Sequence, residues 1–402
     1  MASTEPALSH HGPDDGVLPP PDGEPHAALI AKLEGQVMHV PDMLSLFPKS
    51  WPSGGRNKYY KRLKARLDEI VQSVFPDEVA RERALKSDFA LLTSIWFPDA
   101  AWDDFYTCGL FSFWIFHCDD AMDDRAGVVS QDFSASCEYR KQVLDYTRCC
   151  LGLDPVSSPQ PSGSAGASRL LSWFQPAVKW NPPCPSLPNS VFLEFAERVQ
   201  LTTSKAFREL LHRDIESYLD HCAMEQRERM TGEMPDSLES YLRVRHHTSG
   251  IRCCGFLVQL GQDVRVPVQM MKSAEMQALW DDLTVLVLIE NDILSAKKEL
   301  AAGCVHNAIP VLYSQGQSLD SAIRVLVARL QGSRDAFDRA ADSMCKKTAG
   351  DAGQQRWARK ELLRYLDGLR TIATACIEFC KLAERYGNEK YLNHDGTMDV
   401  ML

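Results

Sequence analysis

Apolar residues recur at helical spacing along most of the chain. In the first such segment, which starts near Asn57, Leu63, Leu67 and Val71 share one face while charged residues fill the other faces. The same pattern predicts further helices at residues 78–96, 100–125, 131–151, 190–223, 237–261, 266–300, 318–346 and 354–387. Alternation typical of strands is scarce, so the pattern predicts a predominantly helical chain.

Two proline-rich segments interrupt this pattern. Residues 1–25 combine proline with Asp, Gly and His, a composition that predicts a flexible N-terminal tail. Residues 155–188 are rich in Pro, Ser and Gly and cannot form a long core helix, so we expect a surface loop. Because helices of similar character resume after this loop, we expect one domain over residues 26–395.

Composition excludes several functional classes. A hydrophobic content of 45% is sufficient for a large buried core, and a net charge of −10 argues against a nucleic-acid surface. The most apolar stretch, residues 283–289, is too short to span a bilayer, so no membrane insertion is expected. The 13 cysteines form no C-x-x-C pair, and the N-terminus lacks the features of a signal peptide; both predict a cytoplasmic protein with reduced thiols.

A cluster of aspartates follows the apolar run that ends at Phe116. On a helix, Asp119 and Asp123 point the same way, while Asp120 and Asp124 form a neighbouring row. Carboxylates this close are tolerated when a divalent cation neutralises them, and Mg²⁺ prefers such oxygen ligands. A solvated acidic helix end is the alternative interpretation.

A second oxygen-rich stripe follows residues 283–289. Asn291, Ser295 and Glu299 are spaced four residues apart, so an amide, a hydroxyl and a carboxylate share one helix face. They can form a second hard-cation site, and Lys298 beside them can bind a phosphate oxygen. The polar face of a surface helix is the alternative, but two such motifs, each after an apolar run, favour the metal interpretation.

With these residues the chain resembles the class I terpene synthases, particularly those of fungi. The aspartate-rich DDxxD motif of that family matches residues 119–123, and its second metal motif, (N/D)DxxSxxKE, matches residues 291–299. A diphosphate-sensing arginine matches Arg245, and a C-terminal Arg-Tyr pair matches Arg385 and Tyr386. The chain departs from the family by its long 155–188 insertion and by Phe379 and Cys380 upstream of the pair, where a tryptophan is common.

The resemblance implies a single-domain all-α helical bundle with a central apolar cavity. It implies a cluster of three Mg²⁺ ions held by Asp119, Asp120, Asp123, Asn291, Ser295 and Glu299. The substrate diphosphate would be bound by Arg245, Lys298, Arg385 and Tyr386. Thr248 and Ser249 match the linker and effector positions after the sensing arginine. Phe116, about one turn before Asp119, is our candidate for a ring that faces the carbocation, although ordinary core packing is the commoner outcome at this spacing.

The implied activity is that of a carbon–oxygen lyase. We expect it to ionise farnesyl diphosphate and to cyclise the cation to a sesquiterpene hydrocarbon or alcohol, acting as a monomer or homodimer. A diterpene synthase using geranylgeranyl diphosphate is an alternative. A prenyl-chain elongating synthase is less favoured, because Asp281-Asp282 cannot complete a second DDxxD. A non-catalytic helical binding protein is the alternative from another class, and it leaves four ordered motifs without an explanation.

Overall fold

The computed structural model describes residues 24–123, 127, 129–154, 181–348 and 353–402. The first half of the chain forms α1 Glu24–Leu33, α2 Tyr60–Val74, α3 Glu78–Ser87, α4 Phe89–Trp96, α5 Trp102–Asp123, α6 Phe133–Cys150, α7 Val191–Thr202 and α8 Lys205–Thr231. The second half forms α9 Leu238–Thr248, α10 Ile251–Gly261, α11 Val268–Met271, α12 Ala274–Ala301, α13 Ala308–Ser314, α14 Leu319–Lys347 and α15 Gly353–Leu382. The predicted all-α fold is confirmed.

One small sheet accompanies the helices. Strand β1 (Val37–Val40) pairs antiparallel with β2 (Met398–Met401), with Val37 opposite Met401. The sheet joins the two ends of the described chain, and Met38 and Val400 pack inward from it. The sequence pattern missed these strands because four residues give too little alternation to be distinguished from a loop.

The two motif-bearing helices lie at the centre of the packing. Helix α12 packs against α9, α10, α13, α14 and α15, and α5 packs against α2, α4, α7, α8 and α10. The apolar run 283–289 of α12 is entirely buried, so it forms core. Within the described part of the chain, every helix is too short or too polar to cross a lipid bilayer.

Several predicted helices are divided where a residue leaves the helical conformation. Asp88, at φ 45°, separates α3 from α4 and caps α4 by accepting from the Leu91 amide at 3.0 Å. Gly250, at φ 68°, separates α9 from α10. Ser204 and Ser273 begin α8 and α12 as N-caps, so the predicted segments 190–223 and 266–300 each become two helices.

The ends of other elements also differ from the prediction. Helix α15 stops at Leu382, so Arg385 and Tyr386 lie in the turn that follows it rather than inside a helix extending to residue 387. Helix α13 was not predicted, because its seven residues are too few to show a clear period. Most of the predicted tail and residues 155–180 of the predicted loop lie outside the described residues, although α1 already begins at Glu24.

Candidate active site

An apolar cavity lies between α4, α5, α10, α12 and α15. Its empty volume is about 880 Å³ including the open mouth, and its wall includes Leu92, Trp96, Ile115, Phe116, Val287 and Phe379. Phe116 precedes Asp119 by about one turn, and Val287 precedes Asn291 by one turn. Both motif helices therefore run from the apolar wall toward polar residues.

The cavity opens into a polar mouth. Five charged residues line both the apolar cavity and the mouth, and we call their position the junction. They are Asp119, Arg245, Lys298, Glu299 and Arg385. The charged residues Asp120, Glu225 and Arg229 line the mouth alone. Cationic and anionic side chains thus surround one end of an otherwise apolar space.

The first two aspartates of the cluster face different partners. Asp119 accepts a hydrogen bond from the Tyr218 hydroxyl at 3.1 Å. Asp120 is held by Arg385, whose Nη2 donates to Oδ1 at 2.9 Å and whose Nη1 donates to Oδ2 at 3.3 Å. The Asp123 side chain and the whole of Asp124 lie outside the described residues.

The Asp120–Arg385 pair is charged on both sides. Burial raises the pKa of Asp120, but Arg385, helped by Lys298, outweighs burial and holds that pKa below its usual value. Burial lowers the pKa of Arg385, but Asp120 outweighs it and raises that pKa. The Arg385 Nη1 also donates to Ser87 Oγ at 3.0 Å, whereas its buried Nε has no hydrogen-bond partner. One donor of a well-anchored guanidinium therefore remains available.

The predicted stripe on α12 is present. The Asn291 amide accepts from Arg245 Nη2 at 3.5 Å and donates to the Tyr386 hydroxyl at 3.3 Å, and Glu299 Oε2 accepts from Asn307 Nδ2 at 3.0 Å. Ser295 lies between them with 0% exposure, and its hydroxyl has no hydrogen-bond partner. Buried hydroxyls are nearly always satisfied, so this one suits a ligand such as a hard cation.

The protein alone supplies an incomplete metal shell. Among the residues that the structure describes, no three His, Cys, Asp or Glu side chains converge closely enough to hold a metal ion. Mg²⁺ usually takes only one or two carboxylates and completes its shell with water and substrate phosphates. A donor set of that kind is formed by Asp119 on α5 together with Asn291, Ser295 and Glu299 on α12.

Gly250 brings a third element to the junction. A Cβ at this residue would lie 2.9 Å from Ile115 Cδ1, and its φ of +68° also favours glycine. The helix break places Arg245, Thr248 and Ser249 on the cavity wall. The Arg245 Nη1 donates to Thr248 Oγ1 at 3.4 Å, and Ser249 Oγ donates to the His246 carbonyl at 3.3 Å.

Arg245 is a buried cation among acidic groups. Burial lowers its pKa, but Glu225, Tyr241 and Asp292 outweigh burial and raise it well above its usual value. Its Nε lies 3.9 Å from Asp292 Oδ1 and makes no hydrogen bond. Asp292 instead accepts from the Tyr241 hydroxyl at 2.7 Å, and burial raises the pKa of Asp292 to about 7. Arg245, like Arg385, keeps a buried donor without a partner.

Aromatic rings lie close to the cations of Arg385 and Lys298. The Arg385 guanidinium carbon is 5.9 Å from the centroid of the Phe116 ring, and Lys298 Nζ is 5.7 Å from that of Tyr386. Burial, together with Arg385, lowers the pKa of Lys298. Tyr386 packs edge to face on Phe379 at 5.7 Å. Phe116 therefore lines the cavity where the apolar wall meets the charges.

Several site residues were missed by sequence reasoning. Tyr218, Glu225 and Arg229 lie at i, i+7 and i+11 on α8, and this polar row on one helix face was a readable signal. Tyr241 also reaches the site from a helix, α9. Asn307 gave no signal, because its contact with Glu299 depends on the turn that follows α12.

Residues 166–336 match a family model described as terpene synthase family 2, C-terminal metal binding. The sesquiterpene cyclase hepA of Aspergillus oryzae is 27% identical over 325 residues, which cover 80% of this chain and 82% of hepA. The silphinene synthase peniA of Penicillium patulum is 23% identical, with 72% of each chain covered. These matches support the family recognised from the motifs and the prediction that the protein is an enzyme.

Solved structures show the same fold. A linalool/nerolidol synthase from Streptomyces clavuligerus, in complex with 2-fluorogeranyl diphosphate, has a TM-score of 0.61 at 18% identity, with 84% of this chain and 99% of that chain covered. Hedycaryol synthase in complex with HEPES has a TM-score of 0.61 at 16% identity, covering 85% and 98% respectively. At such identities the likeness shows the all-α fold alone.

Proposed function

We propose that this chain, which is a class I terpene synthase of the fungal type, ionises farnesyl diphosphate with Mg²⁺ and cyclises the cation to a sesquiterpene hydrocarbon or alcohol. One observation supports this most strongly. The buried Nε donors of Arg245 and Arg385 have no hydrogen-bond partner, and both residues stand at the junction between an apolar cavity and a charged mouth. A ligand with an anionic head and an apolar chain fits that arrangement.

The α12 stripe and the α5 aspartates are the proposed metal ligands. Asn291, Ser295 and Glu299 would hold one ion, and Asp119 with Asp123 would hold the others. When bound, Mg²⁺ neutralises the diphosphate charge as the carbon–oxygen bond breaks. The Asn307 amide orients Glu299 by donating to its Oε2, so Asn307 is a positioning residue in this proposal.

Asp120 has a different role in this proposal from that of Asp119. Each of its oxygens accepts one hydrogen bond from Arg385, so Asp120 fixes the guanidinium plane and keeps a second lone pair on each oxygen. The predicted ligand role of Asp120 is compatible with this pairing. We propose that Asp120 anchors Arg385 and that Arg385 offers its remaining donor to the diphosphate.

The other cations complete the binding of the diphosphate. Arg245 and Lys298 line the same junction from α9 and α12. The Tyr386 hydroxyl accepts a hydrogen bond from the Asn291 amide and can donate its own proton to the diphosphate. Charge-assisted hydrogen bonds from these groups strengthen as the leaving group gains charge. Thr248 and Ser249, at the break before Gly250, would face the allylic end of the substrate.

The apolar wall would guide the cation after ionisation. The faces of Trp96, Phe116 and Phe379 carry negative charge density that attracts cations, and the wall keeps water away. The names of the relatives hepA and peniA favour a C15 substrate. Geranylgeranyl diphosphate remains the alternative substrate.

The test is incubation of the purified protein with C10, C15 and C20 prenyl diphosphates and Mg²⁺, followed by gas chromatography of the extract. We expect cyclic C15 products from farnesyl diphosphate. Preferential turnover of the C20 substrate would replace the proposed substrate. Longer prenyl diphosphates formed on addition of isopentenyl diphosphate would instead show chain elongation and contradict the proposal.

A further inference from the structure

Three thiols form part of the apolar wall. Cys254 on α10 and Cys376 and Cys380 on α15 all line the cavity, and their exposed fractions are only 4%, 5% and 0%. Cys376 and Cys380 lie one helical turn apart on the same face of α15. We call these three residues the thiol face.

The thiol face belongs to the apolar cavity and not to the mouth. None of its three residues lines the mouth. Cys254 follows Gly250 by one turn of α10, on the other side of the helix break from Arg245. Cys380 belongs to α15, whereas Arg385 lies in the turn beyond that helix. The thiols therefore face the hydrocarbon part of a bound substrate.

Thiols hold water less firmly than hydroxyls do. Sulfur is polarisable and a weak hydrogen-bonding group, so it can stabilise nearby charge without holding water firmly. Burial raises the pKa of Cys254 to about 12, and the neutral thiol is a much weaker nucleophile than a thiolate.

We propose that Cys254, Cys376 and Cys380 contact the cyclising hydrocarbon and determine the distribution of products. The inference rests on the proposed function, because it assumes that the cavity holds a prenyl cation. It adds specificity-determining residues that none of the four motifs contains. Their effect is on the choice among competing cation pathways and not on diphosphate loss.

The chain provides a matched control. Cys253 is the neighbour of Cys254 on the same helix and is equally buried, at 1% exposure, but it does not line the cavity. Cys253→Ser therefore introduces the same hydroxyl into the same helix, away from the substrate. Cys254→Ser, Cys376→Ser and Cys380→Ser introduce it into the wall.

The experiment measures diphosphate release and product composition for these four variants. We expect release to stay within about threefold of the parent in all of them. In each thiol-face variant the ratio of the two main products should change by about threefold or more, with more oxygenated terpenes, because a hydroxyl can hold water beside the cation. Cys253→Ser should keep the parental ratio.

Two results would overturn the inference. Parental product ratios in all three thiol-face variants would show that the substrate does not contact these residues. An equal change in Cys253→Ser would show that any hydroxyl in this core loosens the cavity. If a serine variant does not fold, the alanine variant at the same position must show the changed ratio. Failure of the proposed function is distinct, because the parent itself would then form no cyclic C15 terpene from farnesyl diphosphate.

Discussion

The junction and the apolar wall are two ends of one cavity, yet their residues serve opposite chemical needs. At the junction, Arg245 and Arg385 are held among carboxylates and still keep buried donors without partners. At the wall, rings and neutral thiols pack with few groups that could bind water. Under the proposed function, this difference separates cleavage of the carbon–oxygen bond from guidance of the cation.

This separation also has a cost in stability. Buried polar groups without partners destabilise a fold by roughly 1–3 kcal/mol each, and two of them, the Nε atoms of Arg245 and Arg385, lie at the junction. The wall belongs to the hydrophobic core, where the same residues stabilise the fold. Substitutions at the two ends should therefore differ in what they change, and the predictions below use that difference.

The largest effect is expected from loss of the metal site. Removal of divalent ions with EDTA should abolish diphosphate release, and added Mg²⁺ should restore it. Asn291→Ala, Ser295→Ala, Glu299→Ala and Asp119→Ala should each lower turnover about tenfold or more, because each removes a proposed ligand. The measurement is diphosphate release from farnesyl diphosphate, with Asn393→Ala on the surface as the control. Full activity in EDTA would contradict the metal-dependent account.

Arg385→Lys should have the next largest effect. Lysine keeps the charge but lacks the planar guanidinium, in which two Nη atoms bind Asp120 while Nε stays without a partner. We therefore expect diphosphate release to slow about tenfold. Arg364→Lys, on the exposed side of α15, is the matched control and should keep the parental rate. An unchanged rate in Arg385→Lys would show that the pair with Asp120 is only structural.

Phe116→Leu should change products more than rate. The substitution removes a ring face but leaves every proposed ligand in place, so diphosphate release should stay within about tenfold of the parent. Loss of about 0.5–2 kcal/mol of cation stabilisation would change partitioning roughly two- to thirtyfold, toward acyclic or early-quenched terpenes. Phe113→Leu is the control, since that ring packs on Phe75 and Phe89 and does not line the cavity.

If Phe116→Leu kept the parental products, its ring would be ordinary core. The guiding wall would then have to be sought on another helix, with Trp96 on α4 and Phe379 on α15 as the next candidates.

The smallest expected effect is on the pH dependence of the protein's stability, through His247, which lines neither the cavity nor the mouth. His247 stacks on His221 at 3.9 Å, and burial, together with His221 and His246, lowers the pKa of His247 from 6.5 to about 4. The His247 side chain therefore binds a proton more readily in the unfolded chain than in the folded one. Its contribution to the free energy of unfolding is complete above pH 6.5 and is lost as the pH falls toward 4. The parent should lose more thermal stability than His247→Gln between pH 7.5 and pH 5. An identical loss in both proteins would contradict the low pKa.

Much of this arrangement was predictable from the sequence, for identifiable reasons. The two metal motifs lie on long helices, so helical periodicity alone placed Asn291, Ser295 and Glu299 on one face. That α5, α9, α12 and the turn after α15 meet at one place came from the resemblance to a family, because contacts between distant segments leave no local pattern. The pairing of Asp120 with Arg385 depends on such a contact, and the ligand role expected for Asp120 had not anticipated it.

Other features depended on local conformations that periodicity does not report. The helix break at Gly250 requires a positive φ, and Ile115 lies so close that a Cβ at Gly250 would clash with it. Because Ile115 lines the cavity, this contact also explains why the break lies beside the cavity. The thiols illustrate the converse difficulty. Cys253 and Cys254 are equivalent in sequence, and only the three-dimensional packing distinguishes the one that lines the cavity.

The separation of cleavage from guidance is tested most directly by measuring released diphosphate and terpene composition together, from farnesyl diphosphate and Mg²⁺, for the parent, Asn291→Ala and Phe116→Leu. The account predicts that Asn291→Ala lowers release about tenfold or more and leaves the composition of the residual product unchanged. It predicts that Phe116→Leu changes the composition while release continues within about tenfold of the parent. A parental rate with altered products in Asn291→Ala, or a collapse of release in folded Phe116→Leu, would contradict it.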